Sequence, residues 1–453
     1  MNNSATTGRE PQSRSGFRTE LLVLTLAVLG SASMLEYYLG LFMPRLIKAQ
    51  AANHFAGAYD FGHDFYPVWL TSHDCLPTAC DPYSPEMTRK IQQGLFGRTL
   101  DSRIHSDPPA AYRTFVYPAF TALIFWPAAQ FPFTAVRVAV AILLAGATIA
   151  SVFLWMQALS LRRAPYTLAS TSLLLLCSYP VLEGLYADQL GLLVGFLLAA
   201  SLLALQRGRH LIAGIAMSLT TIKPQMSILA MIFLILWSWQ NWRERSRFCI
   251  GLFSAMLVLV GASMLVWPHW IRSWVLALLA YPRYAKPPLA GEILYLPQNP
   301  AVTASLGAIG VLLTLALSWR KRSAETSSIE FWLILSSLLC VTAITFLPSQ
   351  GFQDHVILLP GIFLVWCRWR ELAVTWTHKA ILAIGAAVLL WPWLAAFGLI
   401  VLRPVLAGQM FYSKSVFALP LRTAAVLPFV LLAGMALRLR PHGVASRLFR
   451  AAE

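Results

Sequence analysis

Apolar runs recur along nearly the whole chain. They fall near residues 20–43, 134–160, 165–181, 189–206, 210–224, 226–240, 248–267, 298–318, 329–347, 351–367, 379–401 and 418–437. A membrane-crossing helix needs roughly 17–25 such residues. The pattern therefore predicts an all-α protein with about 12–13 transmembrane helices. No internal repeat and no low-complexity stretch is visible.

The polar segments between these runs are of two kinds. One kind is short and basic: "LRRA" (161–164), "QRGRH" (206–210), "NWRERSR" (241–247), "WRKR" (319–322), "CRWRE" (367–371) and the tail "RLRPHG". Positive loops stay in the cytoplasm. Placing these and the N-terminus there sends 44–116, 182–188, 223–224, 268–297, 348–354 and 402–417 to the outer face. Nearly every unusual polar residue falls in that outer set. The segment "YPAFTALIFWPAAQFP" (117–132) is apolar but short, with three prolines. It is either a helix embedded in the outer leaflet or a thirteenth crossing.

The loop 44–116 is the one long polar excursion. In it "SPEMTRKIQQGLFGR" (84–98) repeats Met87, Ile91 and Leu95 at helix spacing between charged residues. This predicts an amphipathic helix on the membrane surface. The expected organisation is a cytoplasmic tail 1–19, a transmembrane domain 20–437 and a basic cytoplasmic tail 438–453. Arg9, Arg14 and Arg18 precede the first run, which lacks a clear cleavage site and is expected to stay as an anchor.

Composition agrees. The chain is 58% hydrophobic and 12% charged, against about 25% charged in soluble domains. Its formal net charge of +16 resides in the short loops, so it reflects topology and not a nucleic-acid partner. No Walker loop, H-E-x-x-H or paired CxxC is present. No cofactor and no metal site is expected. Cys75 and Cys80, in "HDCLPTACDPY", lie in the outer loop, where a disulfide can form; two reduced thiols are the alternative.

The candidate chemistry is at the outer ends of the runs. Asp64, in "YDFGHDFYPVW" (59–69), is an ionisable group among aromatics just beyond the first run. Such a group suits a general base; an ordinary loop aspartate is the alternative, more strongly so for Asp60. "DPY" (81–83) reads as a structural turn, and "FVYPAF" (115–120) sets Tyr117 at the lip of the embedded segment. "EGLYADQLGLL" (183–193) puts Glu183, Asp188 and Gln189 beside a buried run, for sugar binding or helix capping. Lys223, in "TTIKPQ", follows an apolar run on the side that usually lacks positive charge. It can meet a lipid phosphate or merely snorkel. Asp354 and His355, in "LPSQGFQDHVILLP", and Arg283, in "YPRYAKPP", offer further phosphate or proton contacts, or an ordinary buried pair and surface loop.

In order, "DFYPVW", "DPY", "YPAF", "ADQLGLL", "GIAMSLTTIKP" and "DHVILLP" resemble glycosyltransferase family 87, within the GT-C superfamily, over roughly residues 20–400. The resemblance implies a polyprenyl-phosphate sugar donor, typically of mannose, used on the outer face of a plasma (inner) membrane, with a lipid or glycan acceptor. It implies that Asp64 is the catalytic base and that Lys223 and His355 lie near the donor phosphate. A single displacement inverts the anomeric centre. The chain departs from the usual "YPP" at Ala119 and from the usual "GQ" at Asp188. A transporter, a lipid-linked polysaccharide polymerase or ligase, and a membrane scaffold are the rival readings. Only the enzyme requires Asp64, Lys223 and His355 to converge.

Overall fold

The computed structural model describes residues 14–52, 57, 59–101, 103–104, 107, 112–161, 164–283, 285–293, 300–321, 324–349, 351–405 and 418–439. The outer tail ends and the segment 406–417 of the expected loop 402–417 lie outside the described residues. Helices follow one another: α1 (Arg14–Leu35), extended by a π-helical turn Glu36–Phe42, α2 (Met43–Ala52), α3 (Tyr66–Thr78), α4 (Pro85–Phe96), α5 (Phe120–Ala129), α6 (Phe133–Ala158), α7 (Pro165–Leu176), α8 (Tyr179–Ala187), α9 (Gly191–Gln206), α10 (His210–Leu219), α11 (Ile228–Gln240) and α12 (Trp242–Val266). Then come α13 (Trp270–Ala280), α14 (Leu289–Ile293), α15 (Pro300–Lys321), α16 (Ile329–Thr345), α17 (Leu359–Cys367), α18 (Trp369–Leu372), α19 (Trp376–Leu402) and a last long helix Leu427–Leu439. No strand occurs among the described residues. The protein is an all-α polytopic membrane protein.

Among the described residues, four segments are long and apolar enough to cross a bilayer alone: Arg18–Ala52, Phe133–Ala158, Trp242–Val266 and Trp376–Leu402. Their outward residues, such as Leu257 and Leu265 on α12, are exposed, as lipid-facing positions must be. Several runs expected as single crossings are broken. The run 165–181 becomes α7 and α8, bent by 62°. The run 210–224 is α10 plus a 3-10 turn Thr220–Ile222, and 351–367 begins as a 3-10 stretch Phe352–Leu358 before α17. A 10-residue helix is only about 15 Å long, half the ~30 Å of hydrocarbon. That length also stops α5 from crossing. The expected outer loop 268–297 carries a helix, α13, that the hydropathy pattern did not single out.

The centre is α9 and α16. Nearly every side chain of α16 from Phe331 to Thr345 is buried, as expected of a helix that is apolar all round. Beside them α10 and α12 touch backbone to backbone. A Cβ on Gly214 would lie 2.1 Å from the Phe248 carbonyl, and one on Gly251 2.2 Å from the Leu211 carbonyl. Small residues are what allow helices to pack this closely in lipid.

The outer loop folds on itself. Ser84 caps α4 by accepting the Met87 N–H at 3.1 Å. Met87, Ile91 and Leu95 are buried in a core shared with Phe65, Val68 and Phe115. The apolar stripe of α4 is thus covered by protein, which corrects the expectation that it lies on lipid. Cys75 and Cys80 are disulfide-bonded, with Cα atoms 4.6 Å apart.

Contacts gather the basic loops at one end. Gln206 Nε2 donates to the Ala158 carbonyl at 2.6 Å and His210 Nδ1 lies 3.0 Å from the Glu244 carbonyl. Trp237 Nε1 donates to Ala324 at 2.8 Å, and the Arg245 guanidinium stacks 3.8 Å over the Trp237 ring. Exposed Trp239, Trp242 and Trp319 flank these loops, as in an interfacial aromatic belt. With the free cysteines 177, 249, 340 and 367 replaced, a cysteine at Arg243 is expected to resist an impermeant thiol reagent in whole cells, and one at Lys286 to react. The reverse labelling would invert the topology.

Candidate functional site

The helix breaks meet at the other end of the molecule. The chain before α3 is strapped to the end of α8: the Gly62 N–H donates to Tyr186 O at 2.9 Å and the Asp64 N–H to Ala187 O at 3.0 Å. Asp188 then turns in the left-handed region, φ 55°, and the Gln189 N–H returns to Gly184 O at 2.7 Å. This turn delivers the Gln189 side chain to Asp64.

Gln189 joins two ion pairs. Its Nε2 donates to Asp64 Oδ2 at 2.8 Å. Its Oε1 accepts from Tyr117 Oη at 2.9 Å and from Lys223 Nζ at 3.1 Å. The partners fix the amide orientation, because Asp64 can only accept and Lys223 can only donate. Lys223 Nζ donates to both Asp354 oxygens at 2.7 Å. On the far side, Arg113 Nη1 donates to Asp64 Oδ1 at 2.5 Å. Tyr83, from the "DPY" turn, donates to Tyr117 O at 2.7 Å.

The network runs from open to sealed. Asp64 and Arg113 keep side-chain exposures of 19% and 16%, whereas Lys223 and Asp354 keep 8% and 3%. A ligand entering from the exposed side therefore reaches Asp64 before the buried pair. All three Lys223 donors are already engaged, so a phosphate at Lys223 has to share or displace Asp354.

Burial pushes the Asp64 carboxyl up, but His63, Arg113 and the Arg113 hydrogen bond pull harder, and it lies below its ordinary value. Burial also lowers His63. The Arg113 guanidinium is the fixed positive charge beside Asp64. His63 Nδ1 meets the Asp60 carbonyl at 2.9 Å, leaving Nε2 3.6 Å from Asp64 Oδ1.

The sequence-derived candidates divide as follows. Asp64, Tyr117, Gln189, Lys223 and Asp354 come together. Asp60 is exposed and its side chain is outside the network. Asp188 is buried against Gly62, and neither of its oxygens has a protein partner. His355 is buried but does not join; its ring meets Phe352 edge-on, 5.4 Å between centroids, and lines a separate apolar cavity. The Arg283 side chain lies outside the described residues. Arg113 and His63 were not singled out from sequence. The available signal for Arg113 was a lone arginine just before "YPAF", on the face where basic residues are sparse.

No group of three metal-ligating side chains occurs among the described residues. The fold and site define a polytopic membrane protein with a polar cluster at one face. The model of glycosyltransferase family 87 matches residues 115–348, and the chain belongs to that family. It is a membrane glycosyltransferase. The matched stretch holds Tyr117, Gln189 and Lys223; Asp64, Arg113 and Asp354 reach the site from outside it. No curated protein and no solved structure matches the chain.

Two outcomes follow. A Cβ on Gly191 would lie 2.1 Å from Asp354 Oδ1, so Gly191→Ala is expected to push that carboxylate off Lys223. Breaking a buried pair costs about 3–5 kcal/mol, and thermal unfolding in detergent should fall accordingly; an unchanged midpoint would remove Asp354–Lys223 as a support of the fold. The lowered Asp64 carboxyl stabilises above its unfolded value of about 4, and that stability is lost as pH falls through the lower folded value. Hydrogen-exchange protection of the Asp64 amide should hold from pH 7 to about 4 and weaken only below.

Proposed function

We propose that this glycosyltransferase moves a hexose, mannose by its resemblance, from a polyprenyl-phosphate donor to a lipid or glycan hydroxyl on the extracytoplasmic face of the plasma membrane. The observation that carries this reading is Asp64: an ionised, partly open carboxylate, clamped by Arg113 and Gln189 at the end opposite the basic loops. Asp64 takes the proton from the acceptor hydroxyl as that oxygen bonds to the anomeric carbon. The bond from that carbon to the phosphate oxygen breaks on the opposite side, and the configuration inverts. Clamping matters because an oriented base is worth more than a mobile one.

The leaving polyprenyl phosphate keeps the electron pair of the broken bond. Lys223 is a positive charge that can stabilise it, held by Asp354 until the phosphate competes for it. A lipid donor is supported by an apolar cavity of about 730 Å³. It runs from Thr19, Tyr166 and Trp369, near the basic end, to Tyr179 and His355, beside the site. Between Tyr166 and Leu175 alone it follows about 13 Å of α7, close to the ~15 Å of one leaflet. A long isoprenoid chain fits such a length, and its phosphate would emerge at His355, whose imidazole can donate to it.

Asp64→Asn keeps the shape but cannot take a proton, and its one oxygen can accept from only one of Arg113 and Gln189. Turnover with polyprenyl-phosphate mannose and a membrane lipid extract as acceptor should fall by about 10²–10⁴-fold, with protein level and donor binding near wild type. Asp60→Asn should lose little. An active Asp64→Asn beside a dead Asp60→Asn would mean the other carboxylate is the base; activity in both would end this mechanism.

A further inference from the structure

A second carboxyl group stands beside the network without belonging to it. Glu183 lies on α8 one turn before Ala187, whose carbonyl holds the Asp64 backbone. It is within electrostatic reach of both Asp64 and Asp354. Its residue stays partly exposed, yet its Oε2 is buried with no hydrogen-bond partner. Tyr179, one turn earlier, interacts electrostatically with the same carboxyl group.

The surroundings are phenols and ring faces. Tyr38 packs against Tyr179 at 5.9 Å and Tyr186 at 6.3 Å between ring centroids. Tyr179 meets Phe352 at 5.7 Å. Tyr59 interacts electrostatically with both Glu183 and Asp64, and Tyr59, Tyr186 and Phe352 keep open surface. The backbone is shaped to make this cluster. The first long helix changes to π-helix at Glu36–Phe42, and Tyr37, Tyr38 and Leu41 are all buried. Such π segments are rare and frequently mark functional sites.

Burial raises the Glu183 carboxyl to about 8, so near pH 7 it is mostly the neutral acid, and its buried oxygen without a partner needs one supplied. The neighbouring cations are engaged elsewhere, Arg113 on Asp64 and Lys223 on Asp354. No set of three metal-ligating groups exists among the described residues. What suits a carboxyl group edged by open aromatic faces is a polyol: hydroxyls donate to the oxygens and the C–H face of the ring lies on an aromatic.

We infer that Glu183, steadied by Tyr179 and flanked by Tyr59 and Phe352, forms the subsite that binds hydroxyls of the transferred hexose. This rests on the lipid-donor reading above for which sugar is bound, and the test separates the two. Affinities are measured for a short-chain polyprenyl-phosphate hexose, for the bare polyprenyl phosphate and for a free methyl hexoside, on wild type, Glu183→Gln and Tyr179→Phe. Wild type should prefer the hexosylated lipid, and Glu183→Gln should erase about 2- to 12-fold of that preference, the range for a hydrogen bond between neutral groups. Affinity for the bare phosphate should not change. Tyr179→Phe should lose part of the preference, with Glu183 still present. Equal weakening of both lipids by Glu183→Gln, or an undiminished preference, would overturn the inference. If wild type binds neither lipid but binds the methyl hexoside through Glu183, the lipid-donor reading falls and the sugar subsite stands. If it binds no hexoside in any form, the subsite falls.

Discussion

The amide of Gln189 is the joint of the structure. It holds Asp64 with one end and receives Tyr117 and Lys223 with the other. Each contact comes from a different part of the chain: the outer loop, the start of the embedded helix and the break after α10. Polar groups inside a membrane protein must find partners within the protein, because lipid offers none. A single amide with two donors and an acceptor satisfies opposite charges on either side and keeps them apart. Without it Lys223 would be free to collapse onto Asp64, and the carboxylate would lose its open face.

This need for internal partners also explains why so many helices are broken. An unbroken α-helix satisfies its own backbone but projects side chains only sideways. The breaks at Ala187–Gln189, at Ile222–Lys223 and along Phe352–Leu358 release the chain so that polar side chains can point along the axis of the bundle. Lys223 ends an α10–3-10 segment that starts at the basic end. Its ammonium is therefore carried across the apolar interior by a helix whose other residues are small or apolar. Asp354 neutralises it on arrival. The pair is costly to bury, and Gln189 ties that cost to the outer carboxylate.

The hydropathy runs made the helices legible, and the basic loops made their ends legible, because lipid and charge act on every residue of a segment. Asp64 and Lys223 were visible for the same reason, as charges where the pattern forbids them. Pairing was not visible. Nothing in "AYRTF" states that Arg113 will meet a residue 49 positions earlier. The α4 stripe showed an apolar face but not what covers it, since protein and lipid are equally apolar partners.

His355 shows the limit most clearly. The resemblance to the family put it with Lys223 near the donor phosphate. In a 3-10 stretch, with three residues per turn, neighbours point about 120° apart. Asp354 faces Lys223, and His355 faces the apolar cavity with Phe352 at its edge. Adjacent residues are thereby sorted onto two surfaces, one polar and one apolar. A lipid-linked sugar has that same division, a charged head on an apolar chain. The local geometry of seven residues, Phe352–Leu358, thus sets a boundary within the protein, with Asp354 and Lys223 on its polar side and the cavity wall on the other.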